Sequence, residues 1–388
     1  MLAVLSFLLL CLANVLMRGS QVATIALIEC PRLAEAEPQK AAGAETAGGK
    51  REAASSDVTN VRAAADPWPQ MEYTFPGPAC PPMEWLEAVR HGSRRGVWNG
   101  TFFADRPCEA DLRVHSASEA CEILSTFDSV LIIGDSFERQ LTGGFFMVLR
   151  DNFVNGALKQ WEFEGQPDIT EFCQGEQQFD ERACRPFWVH STRDFAGRTA
   201  ELSAEVHVHW LNFMCPGVRP PQLDFLHWRH PTFMNDKWLR AHLLDHPRTV
   251  VLHGVGLHMD LNATLTIDTH LRRILPLLEA SPQAEHVWIA RHAPGRNKPA
   301  QFLQTQGTEA TLRFNDALQR FFEARTRAQG RPRVPVFETY NLTVEATSFD
   351  GSHYGQQVNV EKAQLLLTYL DGVRRQKGWH GKRWPEAV

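Results

Sequence analysis

The chain has no Cys-x-x-Cys pair and no His/Cys cluster at zinc-ligand spacing, so the usual sequence grounds for a zinc site are missing. It has no charge excess of either sign. Forty Lys and Arg against 45 Asp and Glu leave a formal net charge of −5 and a sequence pI near 6.4. A general nucleic-acid binder would show a basic face, so no nucleic acid or polyanion is implied as a partner. There is no internal repeat. No positively charged leader precedes the first apolar run, and residues 31–67 hold almost no large apolar side chains. That stretch, rich in Ala, Glu, Pro, Gly and Lys, cannot bury a core and reads as a disordered stem.

What is present is a chain of 388 residues, 43% of them hydrophobic. That is enough for one large or two ordinary domains with a sizeable core. Residues 1–17 are almost wholly apolar, and a second apolar patch at 22–28 follows Arg18. Residues 1–30 therefore read as a signal anchor or a cleaved signal peptide, with the anchor preferred because a stem follows it. The expected layout is anchor, stem at 31–67 and catalytic domain at 68–388, as in a single-pass type II Golgi protein, or a secreted one if the leader is cleaved.

Cysteines agree with a secretory compartment. Beyond Cys11 and Cys30 there are six, Cys80, Cys108, Cys121, Cys173, Cys184 and Cys215, an even number suited to disulfides under oxidising conditions. Spacing does not fix their connectivity; Cys108/Cys121 and Cys173/Cys184 are the local pairs to expect. Three sequons, at Asn99, Asn262 and Asn341, point the same way.

Buried strands are expected at 129–134, 205–212, 249–253, 286–291 and 334–338. Helices are expected at 137–150, 265–279, 309–328 and 359–375, the last burying Val360, Ala363, Leu366, Leu367 and Leu370. The alternation predicts an α/β three-layer sandwich with a mostly parallel, flavodoxin-like central sheet and long irregular flanking loops. In such sheets sites gather at the carboxyl ends of strands. The Pro- and Trp-rich stretch 67–110, with Trp68, Trp85 and Trp98, and the polar stretch 160–195 read as loops that shape a cleft. Trp161, Trp188, Trp210 and Trp228 are candidates for stacking on sugar rings, although most tryptophans in a domain of this size belong to the core.

Two short motifs carry the chemistry. The apolar run Val130-Leu131-Ile132-Ile133 stops at Gly134-Asp135-Ser136 and continues into Phe137-Glu138-Arg139-Gln140, which places a hydroxyl at a strand-to-helix turn. Far along the chain, Asp350-Gly351-Ser352-His353 supplies an imidazole and, three residues away, a carboxylate to orient it. A serine hydroxyl needs such a base to become a nucleophile, and the first turn of the following helix favours an oxyanion. Each motif alone is a common capping or turn sequence; their order and context join them into a Ser136, His353, Asp350 triad.

On these residues the chain, over roughly 70–375, resembles the SGNH/GDSL-type hydrolases, and more closely their PC-esterase branch, which includes trichome-birefringence-like O-acetyltransferases and neurexophilin-like proteins. A third segment, Val250-Val251-Leu252-His253-Gly254-Val255-Gly256-Leu257-His258, resembles the block that lines the oxyanion hole in that family. Many relatives carry Asn there; this chain offers His253, His258 and the backbone of Gly254 and Gly256. The resemblance implies Gly254 and Gly256 as oxyanion contacts and Arg139 as a substrate-binding or loop-buttressing residue; the alternative for Arg139 is a solvated first-turn position.

The expected activity is transfer of an acyl group, most simply acetyl, to glycan hydroxyls. An esterase using the same triad and a catalytically silent glycan-binding module remain alternatives. No cofactor is implied beyond an acyl donor such as acetyl-CoA or an acylated intermediate; the implied partners are a glycan or acyl-ester substrate and, through residues 1–30, a membrane. His207 and His209 alternate on one face of the expected strand at 205–212, but no third ligand accompanies them, so no metal is expected.

Overall fold

The computed structural model describes residues 80–94, 102–103, 108, 114–163, 165–195, 214–215, 220–228, 230 and 233–380. The leader, the stem, Trp68, Trp98, Asn99, the strand expected at 205–212 with His207, His209 and Trp210, and the cysteines Cys11 and Cys30 lie outside them.

Among the described residues five parallel strands form the main sheet: β1 Ser129–Gly134, β2 Leu223–His227, β3 Thr249–Gly254, β4 Glu285–Ile289 and β5 Val336–Phe337, in the order β2-β1-β3-β4-β5. This is the flavodoxin-like order, whose switch point lies between β1 and β3. All six residues of β1 and of β3 are buried, as a central strand covered on both faces requires.

Helices cover both faces. Leu131 and Ile133 of β1 and Val251 of β3 pack into one core layer with Leu239 and Leu243 of α4 (Asp236–Asp245), Ile274, Leu275 and Leu278 of α5 (Arg272–Glu279) and Phe314, Leu318 and Phe322 of α6 (Thr308–Gln329). The other layer joins α1 (Pro82–His91), α2 (Ala117–Ser125), α3 (Ser136–Leu149) and α7 (Gln356–Gln376). Helix α7 buries Val360, Ala363, Leu366, Leu367 and Leu370 as its periodicity predicts. Its start lies against α3, where a Cβ on Gly144 would stand 2.3 Å from the Asn359 carbonyl oxygen. Only glycine permits that approach.

Two departures have local causes. The helix expected at 265–279 is split into Ala263–Thr266, a π-helical turn at Ile267–Leu271 and α5. Pro276, inside α5, cannot donate to the Arg272 carbonyl and its ring crowds that carbonyl, immediately after the π-turn. Strand β2 was not among the expected strands. Its Leu-Asp-Phe-Leu-His sequence is short and carries an acid, and Asp224 bonds the Ser191 hydroxyl.

Cysteines pair as Cys80–Cys108, Cys121–Cys215 and Cys173–Cys184. The Cys173/Cys184 expectation holds. The Cys108/Cys121 expectation does not, because Cys121 sits on the buried face of α2 and meets Cys215, 94 residues away. Among the described residues no helix is long and apolar enough to cross a membrane.

Candidate active site

Asp135 begins the site. It caps α3, its Oδ1 accepting from the Phe137 N–H at 3.1 Å, while Glu138 Oε2 accepts from the Asp135 N–H at 3.0 Å. This Asp-x-x-Glu box fixes the turn at the end of β1. Ser136 is consequently the first residue of α3, 5% exposed, with an N–H that has no partner within the helix.

A buried charge cluster holds the turn from below. Arg291, just beyond β4, donates through Nη1 to both Asp135 oxygens at 3.2 and 3.1 Å and through Nη2 to Glu138. None of the three exceeds 1% exposure. Burial opposes ionisation of both acids. Arg291 and the Phe137 N–H nevertheless carry Asp135 below the usual carboxylate range, whereas Glu138, further disfavoured by the Asp135 charge, ends above it. Room for the cluster comes from two glycines opposite each other in register, Gly134 of β1 and Gly254 of β3. A Cβ on Gly254 would stand 2.2 Å from Arg291 Nη2, and one on Gly134 would stand 2.4 Å from Glu138 Oε2. From α6, Asn315 bonds both backbone groups of Arg291.

His353 arrives on a tight loop between β5 and α7. Phe349 N–H and Ser348 Oγ both donate to the His353 carbonyl at 2.9 Å, and the Gly351 N–H donates to Ser348 Oγ at 2.8 Å. Gly351 has φ +82° and meets the Lys298 backbone, where a Cβ would lie 2.2 Å from Lys298 Cα. The Lys298 ammonium, whose burial lowers its pKa against the pull of Asp350, bonds the Ser352 hydroxyl and Gln306. His292 stacks on Phe137 at 3.8 Å between ring centroids. Its Nδ1 accepts from Lys362, so its Nε2–H donates to the Ser352 carbonyl.

Within this frame Asp350 Oδ1 accepts from the N–H groups of Ser352 and His353 at 2.9 Å, and Oδ2 lies 2.8 Å from His353 Nδ1. His353 Nε2 lies 2.7 Å from Ser136 Oγ. Partial burial works against the Asp350 charge, but the bonds from His353 and Ser352 outweigh it and hold its pKa well below the usual carboxylate range. The imidazole therefore presents Nδ1–H to Asp350 and an open lone pair on Nε2 to the serine.

The remaining expected residues fall in several places. Arg139 is not solvated: 7% exposed, it pairs through Nη2 with both oxygens of Glu181, at 2.8 and 2.6 Å, and lies over the Trp188 ring at 5.3 Å. Glu181 belongs to the loop closed by Cys173–Cys184, and its Oε1 lies 3.7 Å from His353 Nε2. Gly254 supports the charge cluster; Gly256, at φ +140°, turns the chain against the Phe314 ring. His253 is buried against His270, its Nδ1 3.5 Å from His270 Nε2. Trp188 and Trp228 are buried. Asn262 and Asn341 are exposed.

Sequence reasoning missed Arg291, Glu181 and Lys298. Arg291 had a signal, an arginine at the carboxyl end of a buried run; Glu181 and Lys298 had none. Among the described residues, no three His, Cys, Asp or Glu side chains are grouped to hold a metal ion. No protein-family model and no curated protein matches this chain.

Proposed function

We propose that the protein is a serine-dependent acyltransferase of the secretory lumen, moving an acyl group, acetyl in the simplest case, to a glycan hydroxyl. The observation that carries this reading is the hydrogen-bonded line Ser136, His353, Asp350, assembled at the carboxyl end of the sheet beside its switch point.

Ser136 Oγ attacks the acyl carbon while its proton passes to His353 Nε2, and Asp350 stabilises the imidazolium. The negative charge on the acyl oxygen lies at the start of α3, where the Ser136 N–H and the helix dipole favour it, with the Gly254 to Gly256 turn as the second source of N–H groups. The leaving group takes the proton from Nε2 and departs, leaving the acyl on Ser136. An acceptor hydroxyl then gives its proton to Nε2 and attacks the same carbon, and Nε2 returns that proton to Oγ as the acyl–Oγ bond breaks and Ser136 is released. Water in that place makes the same site an esterase. Three disulfides support an oxidising compartment. A binding module on this fold would have no need of an intact triad.

The test compares the full chain with Ser136→Ala on a chromogenic acetyl ester, with and without oligosaccharides. Loss of turnover by about 10³-fold or more, with mass gain on an acceptor in the parent, is expected. Equal turnover by the two proteins would sink the reading.

A further inference from the structure

We propose that Glu181 is the acceptor-binding residue of this site. It accepts a hydrogen bond from a sugar hydroxyl adjacent to the one that takes the acyl group. The inference rests on the acyl-transfer reading above and deepens it.

His353 Nε2 is the atom that must receive the acceptor's proton in the second half-reaction. Once Ser136 carries the acyl group, the acceptor oxygen has to lie within hydrogen-bond reach of that nitrogen. Glu181 Oε1 is 3.7 Å from it. That separation is too long for a bond between the two groups. It leaves two hydrogen-bond acceptors side by side, spaced to receive two hydroxyls on neighbouring ring carbons, one on Nε2 and one on Oε1. Glu181 and His353 are each 14% exposed, so a ligand reaches both.

The carboxylate is set in place before any ligand arrives. Arg139 Nη2 holds both of its oxygens, Arg139 lies over Trp188, and the loop is closed by Cys173–Cys184. Asp180 fixes the turn beside it by accepting from the N–H groups of Arg182 and Ala183 at 2.7 and 2.9 Å. Such preorganisation lowers the cost of binding. Oε1 accepts a bond from Arg139, and a carboxylate oxygen has capacity for another.

The chemistry of the group defines what it takes. An ionised carboxylate accepts and does not donate, so it attracts hydroxyls and repels ester carbonyls and acidic sugars. The acceptor class is a neutral polyol with adjacent hydroxyls, rather than an isolated alcohol or a uronate. No proton is transferred to Glu181 in the reaction.

The experiment uses the full chain with p-nitrophenyl acetate as donor. Acceptors are methyl glycosides of glucose, galactose, mannose and xylose and their monodeoxy counterparts. The ratio of acetyl delivered to glycoside over acetyl delivered to water, and KM for the glycoside, are measured for the parent, Glu181→Ala and Glu181→Gln. The expected result is a ratio lower by about 10- to 100-fold in Glu181→Ala, with a raised KM. Removing the neighbouring hydroxyl from the acceptor should harm the parent but not the variant. Glu181→Gln, which keeps the shape of the side chain, carries the test if the alanine variant does not fold.

An unchanged ratio and KM, with both rates falling together, would make Glu181 only a tether for Arg139 and overturn the inference. Ser136-dependent hydrolysis with no transfer to any glycoside would overturn it too. Absence of Ser136-dependent release altogether is the separate failure of the acyl-transfer reading, and the inference falls with it.

Discussion

Asp350 does two jobs with two oxygens. Oδ1 accepts from the backbone N–H groups that shape the loop, and Oδ2 meets the imidazole. Asp350→Asn separates these jobs, because the amide oxygen still satisfies the loop while the amide nitrogen now faces Nδ1 and favours the wrong tautomer. Turnover should fall by about 10⁴-fold with the melting temperature nearly unchanged, a pair of readings obtained from initial rates and thermal unfolding. This residue was legible because Asp-x-x-His is a local pattern. Glu181 was not, since 42 residues separate it from Arg139 and no sequence periodicity links a disulfide loop to a helix start. Arg139 shows how far a motif reaches: its place was readable, but its partner was not.

Elements were readable where burial is complete. The run at 129–134 announces itself because every residue faces a core, and α7 because its apolar stripe keeps helical spacing. Strand β2, at the sheet edge, follows no such rule. Nor did any pattern reveal how α3 and α7 sit together, although the site depends on it: Ser136 begins one helix and His353 lies just before the other. Gly144→Ala puts a methyl group 2.3 Å from the Asn359 carbonyl oxygen and forces the helices apart. A loss of about 1–3 kcal/mol in denaturant unfolding is expected, and turnover should drop even at temperatures where the variant is fully folded, because the Oγ to Nε2 contact opens. Full activity in the folded variant would show that the helix pair does not set the site.

At the scale of the molecule, acid should be the weak side. His253 and His270 are buried, and burial, aided by the neighbouring imidazoles in the first case and by Arg273 and Arg291 in the second, lowers both pKa values, that of His270 to about 3. The unfolded chain binds protons at these residues from about pH 6.5 downward, while the native state does not. Their contribution is therefore fully present above that pH and is lost as pH falls towards 3. Urea titrations across this range should show stability falling by about 1.4 kcal/mol per pH unit for each such histidine, and His270→Gln should remove about one proton from the slope. An unchanged slope would mean that His270 is charged in the native state.

The hydroxyl and the imidazole that it needs are 217 residues apart in the chain, on either side of almost the whole sheet. While the polypeptide is still emerging, a correctly formed Ser136 turn has no imidazole beside it, and it acquires one only after β3, β4 and β5 have been laid down and α7 has packed against α3. A parallel sheet of this kind depends on distant contacts that close slowly. On the proposed reading, Ser136 therefore passes through synthesis without its base, and turnover can begin only when α7 is in place.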